Sequence, residues 1–313
     1  MRYPDFHINN KWILSQRRSK NKVDPNIPYA YLVEKERTAE GKIEDVATIF
    51  LTNKECPFRC LMCDLWKNTT DNTVPLSSIP KQIEYALDRL PSVKHIKLYN
   101  SGNFSDIKAI PRQDYDHIVS ILDGFESILI ENHPKFIHQN IIEFRDKISA
   151  NLQVGIGLET VHPEVLSRLN KQMTTEDFRL SVKFLKENGI LSRAFILLRP
   201  PFLDESEGIQ WAKRSINFAF DCGVECCVVI PTRSGNGALD VLENIGLFHS
   251  PKIQSLEEVL DYGVSLGRGR VFADIWDLKQ FSTCDSCFDH RADRMNQMNL
   301  EQIILKRIHC NCS

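Results

Sequence analysis

Six short stretches rich in β-branched and apolar residues recur along the chain, at 45–52, 95–100, 127–132, 153–159, 192–198 and 225–230. Each is of strand length and is bounded by Gly, Pro, Asn or charged residues. Between them the apolar positions change period. Ile79, Ile83, Leu87 and Leu90 form one stripe at steps of three and four, and Ile209, Ala212, Ile216 and Ala219 form another, the signature of helices with one buried face. Strands alternating with helices predict parallel pairing through right-handed crossovers. The fold class is therefore α/β, a partial (β/α)6 TIM-like barrel, with chemistry expected at the carboxyl ends of the strands. A further helix is predicted at 256–266, an extra strand at 270–276 and a helical stretch at 289–305. Residues 1–40 read as a polar leader of weak periodicity. The expected organisation is an N-terminal extension (1–40), the barrel (41–240), a barrel-closing segment (241–280) and a cysteine-rich tail (281–313).

Composition narrows the classes. With 42% hydrophobic and 26% charged residues in 313, and Gly and Pro at 14 each, the chain can bury a large core and is neither disordered nor fibrous. Lys and Arg number 39 against 41 Asp and Glu, a net charge of -2, so nothing global attracts phosphate backbones or anionic membranes. No apolar run approaches the roughly 18 residues of a membrane span, and the N-terminal residues lack an apolar signal core. The expectation is a soluble, cytoplasmic protein without a membrane partner. Ten cysteines in a reducing compartment are ligands or catalysts before they are disulfides.

Their spacing is informative. Cys56, Cys60 and Cys63 fall within eight residues immediately after the first predicted strand, so one loop can wrap them around one centre. Soft thiolates suit iron–sulfur clusters, and a cubane takes one protein ligand per iron. Three local thiols leave one iron open to an exogenous chelate. The Cys-x3-Cys-x2-Cys loop after the first barrel strand resembles that of the radical S-adenosylmethionine (SAM) superfamily. The resemblance implies a [4Fe-4S] cluster on Cys56, Cys60 and Cys63, SAM on the open iron, an external electron donor, and reductive cleavage of SAM followed by hydrogen-atom abstraction from a substrate. Met62 stands where the superfamily usually has an aromatic residue, and its thioether can still pack on a ring.

The ends of the later strands carry further similar segments. The run Tyr99-Asn100-Ser101-Gly102-Asn103-Phe104 occupies the place of the superfamily's Gly-Gly-Glu turn, whose backbone holds the SAM amine; small residues there let main chain approach a ligand. The form Tyr-x-Ser-Gly-x-Phe resembles the branch that contains the radical SAM subunit of archaeosine synthase and, more distantly, the elongator catalytic subunit. Glu131-Asn132-His133-Pro134 is similar to that branch's Glu-x-x-Pro, and the stretch from Gly155 through Glu159 to Lys171 is similar to its fourth and fifth βα units. The resemblance implies SAM contacts from Ser101, Gly102, Asn103, Glu131 and Glu159, and an adenine contact from the backbone near Ile230. Either Arg193 or Arg199 supplies a cation for the SAM carboxylate, since a guanidinium fork matches that group. Cys222, Cys226 and Cys227 read as buried apolar residues.

The tail holds a second constellation, Cys284 and Cys287 followed after a helix by Cys310 and Cys312. Two close pairs make a four-thiolate site for structural zinc or a second [4Fe-4S] cluster, with His290 and His309 as substitute ligands. The branch resemblance implies a modified tRNA base as substrate, reached with help from a transglycosylase partner. Lys11, Arg17, Arg18, Lys20 and Lys22 then form a local basic strip for phosphates, or an ordinary solvated terminus. A small molecule or peptide remains the alternative substrate, and a non-catalytic iron–sulfur or zinc protein the alternative class.

Overall fold

A computed structural model describes residues 2–312 of the protein. Eight strands form one curled sheet in sequence order: β1 (Ala30–Arg37), β2 (Ile43–Phe50), β3 (His95–Tyr99), β4 (Ser127–Glu131), β5 (Asn151–Glu159), β6 (Leu191–Leu198), β7 (Cys226–Pro231) and β8 (Arg270–Ala273). β2 to β8 are parallel to their neighbours, and β1 is an antiparallel edge strand. Helix α1 (Asn10–Gln16) precedes the sheet. The crossovers carry α2 (Ser78–Leu87), α3 (Tyr115–Ile121), α4 (Gln139–Arg145), α5 (Pro163–Arg168), α6 (Thr175–Glu187) and α7 (Glu205–Cys222), and then α8 (Ala238–Asn244) and α9 (Ile253–Ser265). Helix α10 (Asp285–Glu301) ends the fold. The α/β half-barrel expected from the alternation is present, with the added strand at 270.

Side-chain direction along each strand divides core from cleft. Ala47, Ile49, Ile96, Leu98, Ile128, Ile130, Val154, Ile156, Ala194, Ile196 and Val229 belong to the core beneath the helices, and each buried Val, Leu or Ile among them contributes about 1.5–3 kcal/mol. The alternate positions, among them Lys97, Tyr99, Glu131, Gly155, Gly157, Arg193 and Phe195, line the hollow of the barrel. Cys226 and Cys227 are fully buried.

The polar leader expected over 1–40 contains β1. Its Glu34 and Glu36 point into the barrel, where Lys97 meets Glu34 at 3.0 Å and Arg193 meets Glu36 at 2.6 Å. A strand whose inward positions are carboxylates, with Tyr31 and Val33 packed against the core on its other face, lacks the continuous apolar run of the inner strands and reads as polar sequence. The basic strip is likewise partly committed to the protein itself: Arg17 and Lys20 pair with Glu55 at 2.6 and 2.8 Å.

Helix α10 seals the open edge of β8 with side-chain amides. Asn299 accepts from the N–H of Ala273 and donates to its carbonyl, both at 2.9 Å, and Gln302 does the same for Val271 at 2.7 and 2.9 Å. The two amides thereby replace a neighbouring strand on an edge that would otherwise be free to pair. On its other side α10 receives Arg37 of β1 on the Leu300 carbonyl at 3.2 Å, so the helix bridges the two sheet edges.

Candidate active site

The three-cysteine loop follows β2 and is anchored from several directions. Gln82 of α2 makes two hydrogen bonds, each of 2.7 Å, to the backbone of Thr52. Leu61 N–H donates to the Leu169 carbonyl at 2.8 Å. The Asn170 amide donates to the Arg59 carbonyl at 2.6 Å and that of Asn236 to the Leu61 carbonyl at 2.8 Å. Loops after β5 and β7 therefore hold the segment in which the thiols sit. Burial pushes all three thiols up, Cys60 to about 12, so metal coordination is what would make them thiolates. Their Sγ atoms do not all lie within 4.8 Å of one another. A single tetrahedral ion would hold sulfurs about 3.8 Å apart, whereas a cluster with one iron per thiolate holds them wider.

The turn after β3 lies against this loop. Asn103 donates from Nδ2 to Cys56 Sγ at 3.3 Å and accepts the His133 N–H at 2.6 Å. Ser101 takes a left-handed φ of 52°, and its hydroxyl meets the Tyr29 hydroxyl at 3.0 Å. Glu131, at the end of β4, accepts the N–H groups of Asn100 and Gly102 at 2.8 and 3.3 Å. Burial nonetheless dominates and pushes its carboxyl up to about 7.

At the end of β5, Glu159 has a left-handed φ of 64° and pairs with Lys171, both buried. Lys171 stands near Cys60 and Cys56; burial opposes its charge, and the Glu159 carboxylate more than offsets this and pushes the ammonium up. Gly157 makes this possible, since a Cβ there would collide with the ends of both Glu159 and Lys171. His133 donates from its ring to the Lys171 carbonyl at 2.9 Å in the matching tautomer and stacks on Phe58 at 3.9 Å. Burial and the Lys171 ammonium push it down to about 3, so the ring is neutral.

These groups open into one cleft of about 630 Å³ that also includes Ile230, Met62 and Arg193. Both arginines considered for a ligand carboxylate have partners within the protein. Arg193 is low in the barrel, its guanidinium taken up by Glu36 and by Gln153 at 3.1 Å. Arg199 is outside the cleft lining. Its backbone is left-handed with φ 53°, and its side chain turns away to Glu205 at 2.6 Å and the Ser250 carbonyl at 2.9 Å. Arg59 and Arg17 also lie near the thiols but pair with Glu55; Lys171 is the nearby cation that lines the cleft.

No family model matches the chain. It is 22% identical to an uncharacterised protein of Methanocaldococcus jannaschii, over 96% of this chain and 89% of that one. It is 26% identical to archaeosine synthase subunit beta of Thermococcus kodakarensis, over 50% of this chain and 51% of that one. The corresponding subunit of Methanosarcina acetivorans is 22% identical over 64% and 60%. The chain thus spans about half to three-fifths of the named relatives. Among solved structures, Elp3 of Methanocaldococcus infernus superposes with a TM-score of 0.52 at 15% identity, over 70% of this chain and 59% of that one, a likeness of fold. The chain is thus similar in sequence to subunits of archaeosine synthase and in fold to Elp3.

Beyond the thiols, the hollow of the barrel has aromatic walls and a charged floor. Phe50 contacts Tyr99 and Trp276 with ring centroids 5.6 and 5.4 Å apart, and Tyr99 contacts Phe195 at 6.4 Å. Lys97, Glu34, Glu36 and Arg193 form the floor. Asn296, Asn299 and Leu300 of α10 complete one side.

The four tail cysteines come together at the start of α10. Cys284 Sγ lies 3.8 Å from Cys310 Sγ, Cys287 Sγ lies 3.5 Å from Cys312 Sγ, and all four fall within 4.8 Å of one another. His290 and His309 are not in the set. Cys284 is the N-cap residue of α10; the nearby Cys287 backbone N–H, with the neighbouring thiols, pulls its thiol down to about 6. Among the described residues, no helix is long and apolar enough to cross a membrane.

Proposed function

We propose that the chain binds a [4Fe-4S] cluster through Cys56, Cys60 and Cys63 and cleaves SAM reductively to abstract a hydrogen atom from a substrate in the cleft. The observation that carries this reading is one cleft holding three thiols on a clamped loop, a buried carboxyl at Glu131 and a buried ammonium at Lys171. A methionyl group is a zwitterion, and these two side chains complement its amine and its carboxylate. When bound, cluster and SAM would supply homolysis of a C–S bond with one electron from an external donor. The protein's own residues bind, orient and exclude water. Glu131 and the backbone of Ser101, Gly102 and Asn103 receive the amine, Lys171 draws the carboxylate, Glu159 holds Lys171 and faces the ribose, and backbone near Ile230 borders adenine. The test is anaerobic reconstitution followed by reduction with SAM, with 5′-deoxyadenosine as the expected product and its absence in a cluster-loaded sample as the overturning result.

The pH dependence of SAM binding follows from Glu131. Its carboxyl takes a proton below about 7 in the ligand-free chain, and an ammonium at this site favours the ionised form. Binding therefore releases a proton below about pH 7, and affinity should fall about tenfold per pH unit towards pH 5 and level off above 7. The same raised value means that Glu131 contributes to stability below its unfolded value and that this contribution is lost as pH rises through about 7. Equilibrium dialysis of SAM from pH 5 to 8 checks the slope; Glu131→Gln should flatten it, and an equal slope in that variant would sink the assignment.

For the substrate we favour a modified base in tRNA, delivered with a partner subunit of transglycosylase type. The named relatives are subunits of archaeosine synthase, and flat aromatic walls suit a flat ring. A net charge of -2, with Arg17 and Lys20 paired to Glu55, leaves this chain few cations for phosphates, so the partner would supply most of those contacts. Bulk tRNA should bind in a salt-dependent manner when the partner is present. No binding with or without it, together with unchanged tRNA nucleosides in a deletion strain, would leave a small molecule or peptide as substrate.

We also propose that the tail holds a single tetrahedral ion, zinc in the first instance. Four thiolates at about 2.3 Å from one ion lie about 3.8 Å apart, which matches the spacings of 3.5 and 3.8 Å and is too narrow for a second cubane.

A further inference from the structure

The four-thiol site has an outer layer built from the two helices beside it. Arg291, one turn after Cys287 on α10, donates from Nε to Cys287 Sγ at 3.2 Å, and its Nη1 pairs with Glu257 of α9. All three residues are 3% exposed. Arg294 joins Glu257 at 3.3 Å and also pairs with Asp261. It further donates to the carbonyls of Leu305 and Lys306 at 2.7 and 3.0 Å, on the segment that leads to Cys310 and Cys312. Arg307 reaches Asp261 at 2.7 Å. The buried pair Arg291 and Arg294 is matched by the carboxylates of Glu257 and Asp261, while the Arg307 side chain is largely exposed. Of the two buried guanidiniums, that of Arg291 also donates to sulfur, and such a hydrogen bond is strong only where the sulfur is anionic. A divalent ion in four thiolates keeps that sulfur anionic and carries a net charge of -2.

We infer that Arg291 is a positioning residue of the four-thiolate ion: it orients the Cys287 thiolate, neutralises part of the charge of the centre and, through Glu257, ties the metal site to α9. The inference rests on the single-ion reading above. It gives the tail a consequence for the cleft, because α10, whose first turn the site holds, places Asn296, Asn299 and Leu300 along one wall.

Cobalt(II) is the probe. The full-length chain is stripped under reducing conditions and titrated with the metal, and the thiolate-to-metal charge-transfer band is followed; the part of the signal that belongs to the tail is the part lost in Cys284→Ser. Arg291→Gln is expected to weaken binding by about 10–100-fold and to shift the band, since the Cys287 sulfur loses its donor. Arg291→Lys keeps the charge without the planar fork and should recover most of the affinity with the band still shifted. Glu257→Gln, which leaves Arg291 in place but unanchored, should fall between them. Unchanged affinity and band position in Arg291→Gln overturn the inference; should that variant fail to fold, the same result in Arg291→Lys and Glu257→Gln overturns it. If the unsubstituted chain shows no tetrahedral thiolate spectrum that depends on Cys284, the single-ion reading fails, and the inference fails with it.

Discussion

Cys56→Ala, Cys60→Ala and Cys63→Ala are each expected to lose the oxygen-sensitive cluster and all SAM cleavage. Each removes one of only three protein ligands, and among the described residues no fourth cysteine lines the cleft. The loop is anchored by Gln82, Asn170 and Asn236, none of which depends on the thiols, so the variants should fold and fail only in iron content and 5′-deoxyadenosine formation. Cys227→Ala is the control. That thiol lies in the core beneath the helices, and its removal should lower stability by about 1–2 kcal/mol and leave cleavage in place. Full cleavage in any one of the three loop variants would refute the cluster assignment.

The second large effect is expected from the tail. Cys287→Ala should release the ion and lower the melting temperature by at least about 5 °C, because a structural metal supplies several kcal/mol of folding free energy and each kcal/mol is about 2–4 °C in a chain of this size. Cys287 is the one buried thiol of the four, so the substitution also leaves Arg291 without its sulfur acceptor. Metal analysis and calorimetry read the two effects. A variant with unchanged zinc or iron content and unchanged melting would remove the site. Loosening of α10 should also expose the edge of β8, which the amides of Asn299 and Gln302 cover.

Much of this was legible along the chain because it depends on near neighbours. Three cysteines within eight residues share a loop whatever the rest of the fold does, and the alternation of strand and helix lengths carried the barrel with it. The two cysteine pairs of the tail were visible as pairs. Strand β1 was missed because its inward face is Glu34 and Glu36, and only the opposing Lys97 and Arg193 make sense of carboxylates inside a barrel.

What the sequence determined by itself is therefore the local chemistry: the three-cysteine loop, the strand order that follows from parallel crossovers, and the residue types at each strand end. The tertiary structure decided which of those residues meet. Arg199, one residue past the end of β6, has the parity of Arg193, yet the left-handed backbone there turns its side chain to Glu205, while Glu36 holds Arg193. Lys171, far from the cysteines in sequence, reaches them because the left-handed turn at Glu159 and the missing side chain of Gly157 leave it room. The tertiary structure also brings the two cysteine pairs of the tail together, with all four sulfurs within 4.8 Å of one another. A strand's period of two sets side-chain direction only while the backbone stays extended, and at the strand ends, where chemistry gathers, packing of distant segments sets it instead.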